Sequence, residues 1–457
     1  MSVAFRLKGD VECYRHALLN MEIQPLTLYA APTTQGTGDG LSAANAATLE
    51  TILTTMLQTA TYTVVKLASG SHILSSTVTI DKYFYLRLEA TAYDSLDPPI
   101  ICTTHSTGTY ISEITTGSPQ PSQTCTAHGY DEFPLLIKNS QVVIDNVWFH
   151  GTRNCIKCID SHIELLGETN FKLWAYSLSS TEHDGQAIYA QRTQIVGDDT
   201  NIAIDIFHPQ YTAITDTITL AVTPIYITDN SSMVKGGEII WTANTQTNVP
   251  RVGSNPISYH QSSINVYYNS KLSINLSVDN VVQVFHIGQS HLKVVLTQIG
   301  TGKLFCVING WRLSEIWISI NGELHVDNSS GVNVYDAVFH INGSSVHVDS
   351  GSITMYGLSK TVIFGGYNSS VIYSVDTNAE NRNNNLGSDL IAVAYRLSKI
   401  ALHNTHTTRN SGTDKIVNAS EGSDIYTSST SLTSSSPNYA VSSGGRYIES
   451  DGTVHTT

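Results

Sequence analysis

Charge is scarce in this chain. Asp, Glu, Lys and Arg make up 14 % of its 457 residues, against roughly 25 % in an ordinary soluble domain. Long solvated helices need those residues on their wet faces, so a mainly helical protein is excluded. Basic residues are scarcest: 24 Lys and Arg stand against 38 Asp and Glu, a net charge of −14, and no basic run occurs. Nucleic-acid binding needs a basic footprint to displace counterions, which excludes that class of partner. The six cysteines are too dispersed for a disulfide framework. No apolar run reaches the roughly 18 residues a membrane helix needs, so no membrane insertion is expected. Met1 to Asp10 carries Arg6 and Lys8 but no apolar signal-peptide segment, and with so few cysteines folding in a reducing cytoplasm is expected.

What replaces charge is Ser, Thr, Asn and Gly, with 32 glycines, while 41 % of the chain is hydrophobic. That mixture favours many short strands joined by polar turns. From about 133 to 376 one pattern returns: a short apolar run, a polar break containing Ser, then a second apolar alternation. Leu135 to Ile144, Cys155 to Leu165, Ala187 to Val196 and Ile225 to Val234 are instances, followed by stretches centred on Ser263, Ser290, Arg312, Ser345 and Ser370. Val284-Phe285-His286-Ile287 and Val338-Phe339-His340-Ile341 are the closest pair. Successive units lie roughly 21 to 39 residues apart, the range in which one supersecondary unit stacks on the next. Alternation at Ile264, Val266, Leu272, Ile274 and Leu276 turns one face inward with period two, as does that at Ile202, Ile204 and Ile206. The pattern reads as an all-β parallel β-helix. A β-sandwich is the alternative, with Asn309-Gly310 and Asn342-Gly343 as its hairpin turns.

The ends differ. Residues 1–32 form a separate piece closed by Pro25 and Pro32. Residues 33–60 hold a glycine-rich turn and an amphipathic helix, Ala43 to Gln58, with Leu49, Ile52, Leu53, Met56 and Leu57 on one face and Ser42 as N-cap. Such a helix covers the first open rung of a solenoid that occupies 61–376. Residues 377–457 lose the repeat; Leu390 to Leu402 fits helix or strand, and Thr427 to Ser436 is almost pure Ser and Thr. Tyr426, Tyr439 and Tyr447 suit a region that folds by sharing strands in an oligomer.

The run Gly36-Thr37-Gly38-Asp39-Gly40, the helix, and the stretch Tyr62 to Ile80 together resemble the opening of the β-helix in bacteriophage tailspike and tail-fibre proteins. Pectate-lyase-like β-helices share this opening. The resemblance covers about fifty residues closely and the rest of the solenoid in character. It implies a right-handed parallel β-helix, a homotrimer, and attachment of residues 1–32 to the phage tail or baseplate. It further implies a place in the virion tail, binding of a bacterial surface polysaccharide, and in some members glycan cleavage. A secreted plant-wall lyase would need a signal peptide and an Asp-rich calcium cluster, which the sequence lacks.

Glycan cleavage requires two carboxylates, about 5 Å apart for retention or 6.5–9.5 Å for inversion. The candidates are Glu182 and Asp184 in a polar loop, and Asp205, which alternates away from Ile204 and Ile206 and is expected to face solvent. Tyr211, Trp241 and Arg251 are the candidates for sugar contact, with a core position the rival reading for Trp241. Cys155 and Cys158 have redox or zinc spacing but no second ligand pair follows, so they read as packing residues. His286 and His340 fall in the same slot two units apart, about 10 Å on a strand spacing of 4.8 Å, too far to share a metal. No phosphate loop, nucleophile elbow or metal motif occurs, so neither cofactor nor metal is expected. Binding without catalysis is favoured over a polysaccharide hydrolase or lyase, because no carboxylate pair stands out.

Overall fold

The computed structural model describes residues 25–57, 62–82, 85–103, 133–151, 154–174, 186–207, 223–244, 264–279, 283–299, 306–321, 323–328, 337–350, 352–357, 362–381, 392–403, 406–409, 417–428, 431–433, 439–449 and 451–456. The alternating apolar segments form strands, and the protein is nearly all β with long parallel sheets. One unit comprises Leu135–Lys138, Gln141–Asp145 and Trp148–Gly151. The next repeats it with Asn154–Ile159, His162–Leu166 and Phe171–Trp174, and a third with Gln186–Gln191, Gln194–Gly197 and Ile202–Phe207. Each strand pairs in parallel with its counterpart one unit on, which generates three ladders. We name them the first, second and third ladder in chain order within a unit.

This order of pairing is compatible with the solenoid that the repeat predicts. The first ladder is a 13-stranded sheet. Second- and third-ladder positions run together in the middle of the chain, where Ser232–Asn244 is one strand of 13 residues. Among the described residues every strand pairing is parallel except that of Arg446–Ile448 with Val454–Thr456. A sandwich built on hairpins would need many antiparallel pairs. Asn309-Gly310 lies inside the parallel-paired strand Cys306–Trp311, and Gly343, at φ 62°, turns the chain from the first ladder into the second. Neither makes a hairpin. Inward residues of all three ladders, from Leu28 to Tyr447, belong to one contiguous apolar core.

The polar breaks of the repeat are the corners between first and second ladders. Asn139, Asp160, Arg192, Gln289 and the pair Arg312 and Leu313 adopt positive φ there. Asn and Asp tolerate that region best; Arg312 and Leu313 are held in it by their N–H groups, which donate to Asn342 O at 3.0 Å and Gly343 O at 2.7 Å. A buried Ser or Thr follows each corner. Its hydroxyl accepts the N–H of its counterpart one unit back: Ser140 to Ser161 at 3.3 Å, Ser161 to Thr193 at 3.3 Å, Thr193 to Ser231 at 3.0 Å and Ser231 to Ser270 at 3.3 Å. The column resumes from Ser314 to Ser344 and from Ser370 through Ser398 to Ser423.

The ends depart from the sequence reading. In place of one helix over 43–58 there are a 3-10 turn at Ala43–Asn45, an α-helical turn at Leu49–Thr51 and a π turn at Ile52–Met56. The helix is broken because Ala46 and Thr48 are extended and Ala47 pairs with Ala30. Thr48, not Ser42, supplies the cap, accepting from Thr51 N–H. The apolar face survives: Leu49, Ile52 and Leu53 are buried. Pairing begins earlier than residue 61, since Leu26–Ala30 is the first strand of the second ladder and pairs with Thr63–Leu67. It also continues past 376, through Ala392–Tyr395, Lys399–His403, Val417–Ala419 and Asp424–Ser428 to Arg446–Ile448. Leu390 to Leu402 therefore contributes strand where it is described. At the C-terminal end Tyr439, Tyr447 and His455 stack at centroid distances of 4.1–5.6 Å, and Tyr447 is buried.

Candidate functional site

Strands of the first ladder turn alternate residues in and out. Ile188, Ile225, Ile264, Phe285, Ile308, Phe339 and Phe364 face the core. Their outward neighbours include rings on consecutive strands, all half-buried. Tyr189 and Tyr226 are register partners, stacked at 5.2 Å with an interplanar angle of 4°. Tyr267 meets Tyr226 edge-on at 5.6 Å, and His286 at 5.5 Å. A hydrogen bond of 2.8 Å links Tyr267 Oη and His286 Nδ1. Trp311 lies 6.3 Å from Tyr267, and one strand farther His340 stacks on Tyr367 at 4.7 Å. From Tyr189 to Tyr367 the face crosses six strand steps, about 29 Å at ~4.8 Å each.

Glycine makes room for part of this face. Gly288 sits between Tyr267 and Trp311 in the register, and a Cβ there would lie 2.8 Å from the indole. Trp311 therefore lies back over the strand Gln283–Gly288. Burial pushes the Tyr226 phenol up to about 12 and raises that of Tyr189, so both remain hydroxyl donors at neutral pH. Lys157 Nζ stands 4.8 Å from the Tyr189 ring centroid, and the Arg312 guanidinium 4.6 Å from that of Trp311. In the same units the second ladder carries Trp317 stacked on His347 at 4.4 Å, with Tyr373 5.0 Å beyond. Trp317 is 49 % exposed. Flat rings bordered by hydroxyls and cations suit the apolar face of a sugar and its polar edge.

The third ladder holds the only described member of the expected catalytic trio. Asp205 is in register with Lys172 on one side and Thr242 on the other. It points away from the core-facing Ile204, yet it is half-buried where a solvent-facing acid was expected. Burial raises its carboxyl, with the Lys172 charge opposing. His150 is the next outward residue beyond Lys172, 2 % exposed, with neither ring nitrogen hydrogen-bonded. Burial and the Lys172 charge push it down to about 3. Asp279 occupies the same column two strands from Asp205. Two strand steps are about 9.6 Å between backbones.

Glu182, Asp184, Tyr211 and Arg251 lie outside the described residues. Trp241 is fully enclosed, between Ile204 and Val278 in the register; it is a core residue and cannot stack on a sugar. It faces inward because it falls on the same parity as Ile239 in its strand. Cys155 and Cys158 are buried with thiols pushed up by burial, as packing residues are. Asn309 separates His286 from His340 in the register, and no group of three metal-ligating side chains occurs among the described residues. The aromatic face itself went unrecognised in the sequence, although Tyr267, Trp311 and Tyr367 each stand three residues before a corner serine. No protein-family model, curated protein or solved structure gives a significant match to this chain.

Proposed function

We propose that this chain is a bacteriophage tail protein, a tailspike or tail fibre, that binds a bacterial surface polysaccharide during host attachment. In this reading the three ladders close as a right-handed parallel β-helix, and three copies associate as a homotrimer through residues 377–457. Residues 1–32 dock on the tail or baseplate, and the protein resides in the virion. The observation that carries the reading is the aromatic face of the first ladder, rings on successive strands of a stiff parallel stack. Stacked on one another, these rings lose little conformational freedom when a ligand covers them. The test is binding of the full-length protein to purified capsular polysaccharides and lipopolysaccharides from a range of bacteria. A variant with Tyr189, Tyr226 and Trp311 all changed to Ala should lose binding while keeping its β-rich circular dichroism. Undiminished binding by that variant would refute the assignment of the face.

Glycan cleavage is the second reading, favoured by the column His150, Lys172, Asp205. Burial raises the Asp205 carboxyl, the direction a proton donor requires. Release of oligosaccharide by the wild type and its loss in Asp205→Asn would support cleavage. Release undiminished by the substitution would remove Asp205 from the chemistry.

A further inference from the structure

We infer that the polysaccharide bound on the first ladder is acidic, its carboxylate or phosphate groups engaging Lys157 and Arg312. The inference rests on the glycan-binding reading and narrows its ligand. The chain carries a net charge of −14, and a cation without a partner is therefore conspicuous on its surface. Among arginines with described side chains, Arg87, Arg192, Arg396 and Arg446 each hold a carboxylate. Arg312 holds none; its guanidinium is exposed and lies on the Trp311 ring. Lys157, likewise without a carboxylate among the described residues, sits over Tyr189 and Phe133. Asp160 and Asp229, which directly follow the strands Asn154–Ile159 and Ile225–Thr228, both pair with Arg192.

The two cations bracket the part of the ring array from Tyr189 to Trp311. Lys157 belongs to the strand Asn154–Ile159, and Arg312 directly follows Cys306–Trp311. Five strand steps separate those strands, about 24 Å, and Tyr189, Tyr226, Tyr267 and Trp311 lie between or at the ends. An extended polysaccharide along the stack axis would cover the rings and bring anionic groups to both cations. Ring contact and charge then act together, because a guanidinium already seated over an indole is positioned for a carboxylate or phosphate.

The experiment uses full-length protein on an immobilised panel of purified bacterial surface polysaccharides, acidic and neutral, at low and high sodium chloride. Acidic members should be bound, and added salt should weaken binding. Arg312→Gln should weaken binding about tenfold, the loss expected of one hydrogen-bonded charge pair, and Arg312→Lys should recover part of it. Lys157→Gln should act in the same direction. Neutral members bound as tightly as acidic ones, salt-insensitive binding, or wild-type affinity in Arg312→Gln and Lys157→Gln would each overturn the acidic ligand and leave glycan binding standing. No binding to any member would overturn both.

Discussion

Replacing Ser231 with alanine removes one hydroxyl from the column that runs through the corner between the first and second ladders. Its Oγ accepts the Thr193 N–H at 3.0 Å and donates to Thr228 O at 2.6 Å. Thr228 O also accepts the Arg192 N–H at 3.3 Å, so that carbonyl keeps a partner after the change. The Thr193 N–H does not, and Thr193 is buried. A buried donor stripped of its acceptor costs about 1–3 kcal/mol, and Ser231→Ala should be destabilised by about 2 kcal/mol. Ser231→Thr keeps the acceptor, and Thr193 already fills the equivalent position one unit earlier, so its change should stay within ~0.5 kcal/mol. Urea unfolding followed by far-UV circular dichroism reads the difference as a shifted midpoint at constant slope. The reasoning fails if Ser231→Ala unfolds with the wild type, or if Ser231→Thr is as damaging as the alanine.

Three further outcomes follow from particular side chains. Trp241 Nε1 is buried without a partner, so Trp241→Phe should stay within about 1 kcal/mol of the wild type in the same assay, whereas Trp241→Ala should lose about 3–5 kcal/mol. Gly288→Ala puts a Cβ 2.8 Å from the indole of Trp311 and should displace that ring, weakening glycan binding while the far-UV spectrum is unchanged. Asp424 is gripped by both Nε and Nη2 of Arg446 at 2.7 and 2.8 Å, which holds its carboxyl below the ordinary 3.8. A carboxylate with a depressed folded value contributes stability above its unfolded value and loses it as pH falls. Amide exchange over 424–448 should therefore quicken below about pH 3.8 in the wild type, and Asp424→Asn should weaken that dependence.

Much of the architecture was legible because it rests on period two and on punctuation. Ile264, Val266, Leu272, Ile274 and Leu276 alternate in sequence and are buried in the structure. Two parts were not legible from apolar pattern alone. The helical signal at 43–58 came from Leu49, Ile52 and Leu53, which do face the core, but the backbone of Ala47 is claimed by the neighbouring strand Leu26–Ala30. Tertiary pairing overrode local periodicity there. Strands were expected after 376, but not that they continue the same ladders, because Ala392, Ala394, Ala419 and Thr427 fill inward positions that a search for large apolar residues passes over. A core position needs only to be small and satisfied when the neighbouring unit supplies the bulk.

The site was hidden for a different reason. Trp241 and Tyr211 were singled out one at a time as candidates for sugar contact, whereas the rings that assemble do so across units, at positions far apart in sequence. In a stack each unit touches only its neighbours, so a repeated offset becomes a column in space. The corner hydroxyl is the natural origin for that offset, because its hydrogen bonds fix the register of successive units. Counted back from it, Tyr267, Trp311, Tyr367 and Tyr395 all stand at the third residue, and Tyr189, His286 and His340 at the fourth. Tyr226 stands at the fifth because its corner spends two residues, Asp229 and Asn230, at positive φ. The buried hydroxyl that satisfies the backbone at each turn thus also sets the register that aligns the outward rings, and a change that slips one corner should misplace the aromatic face on that side of it.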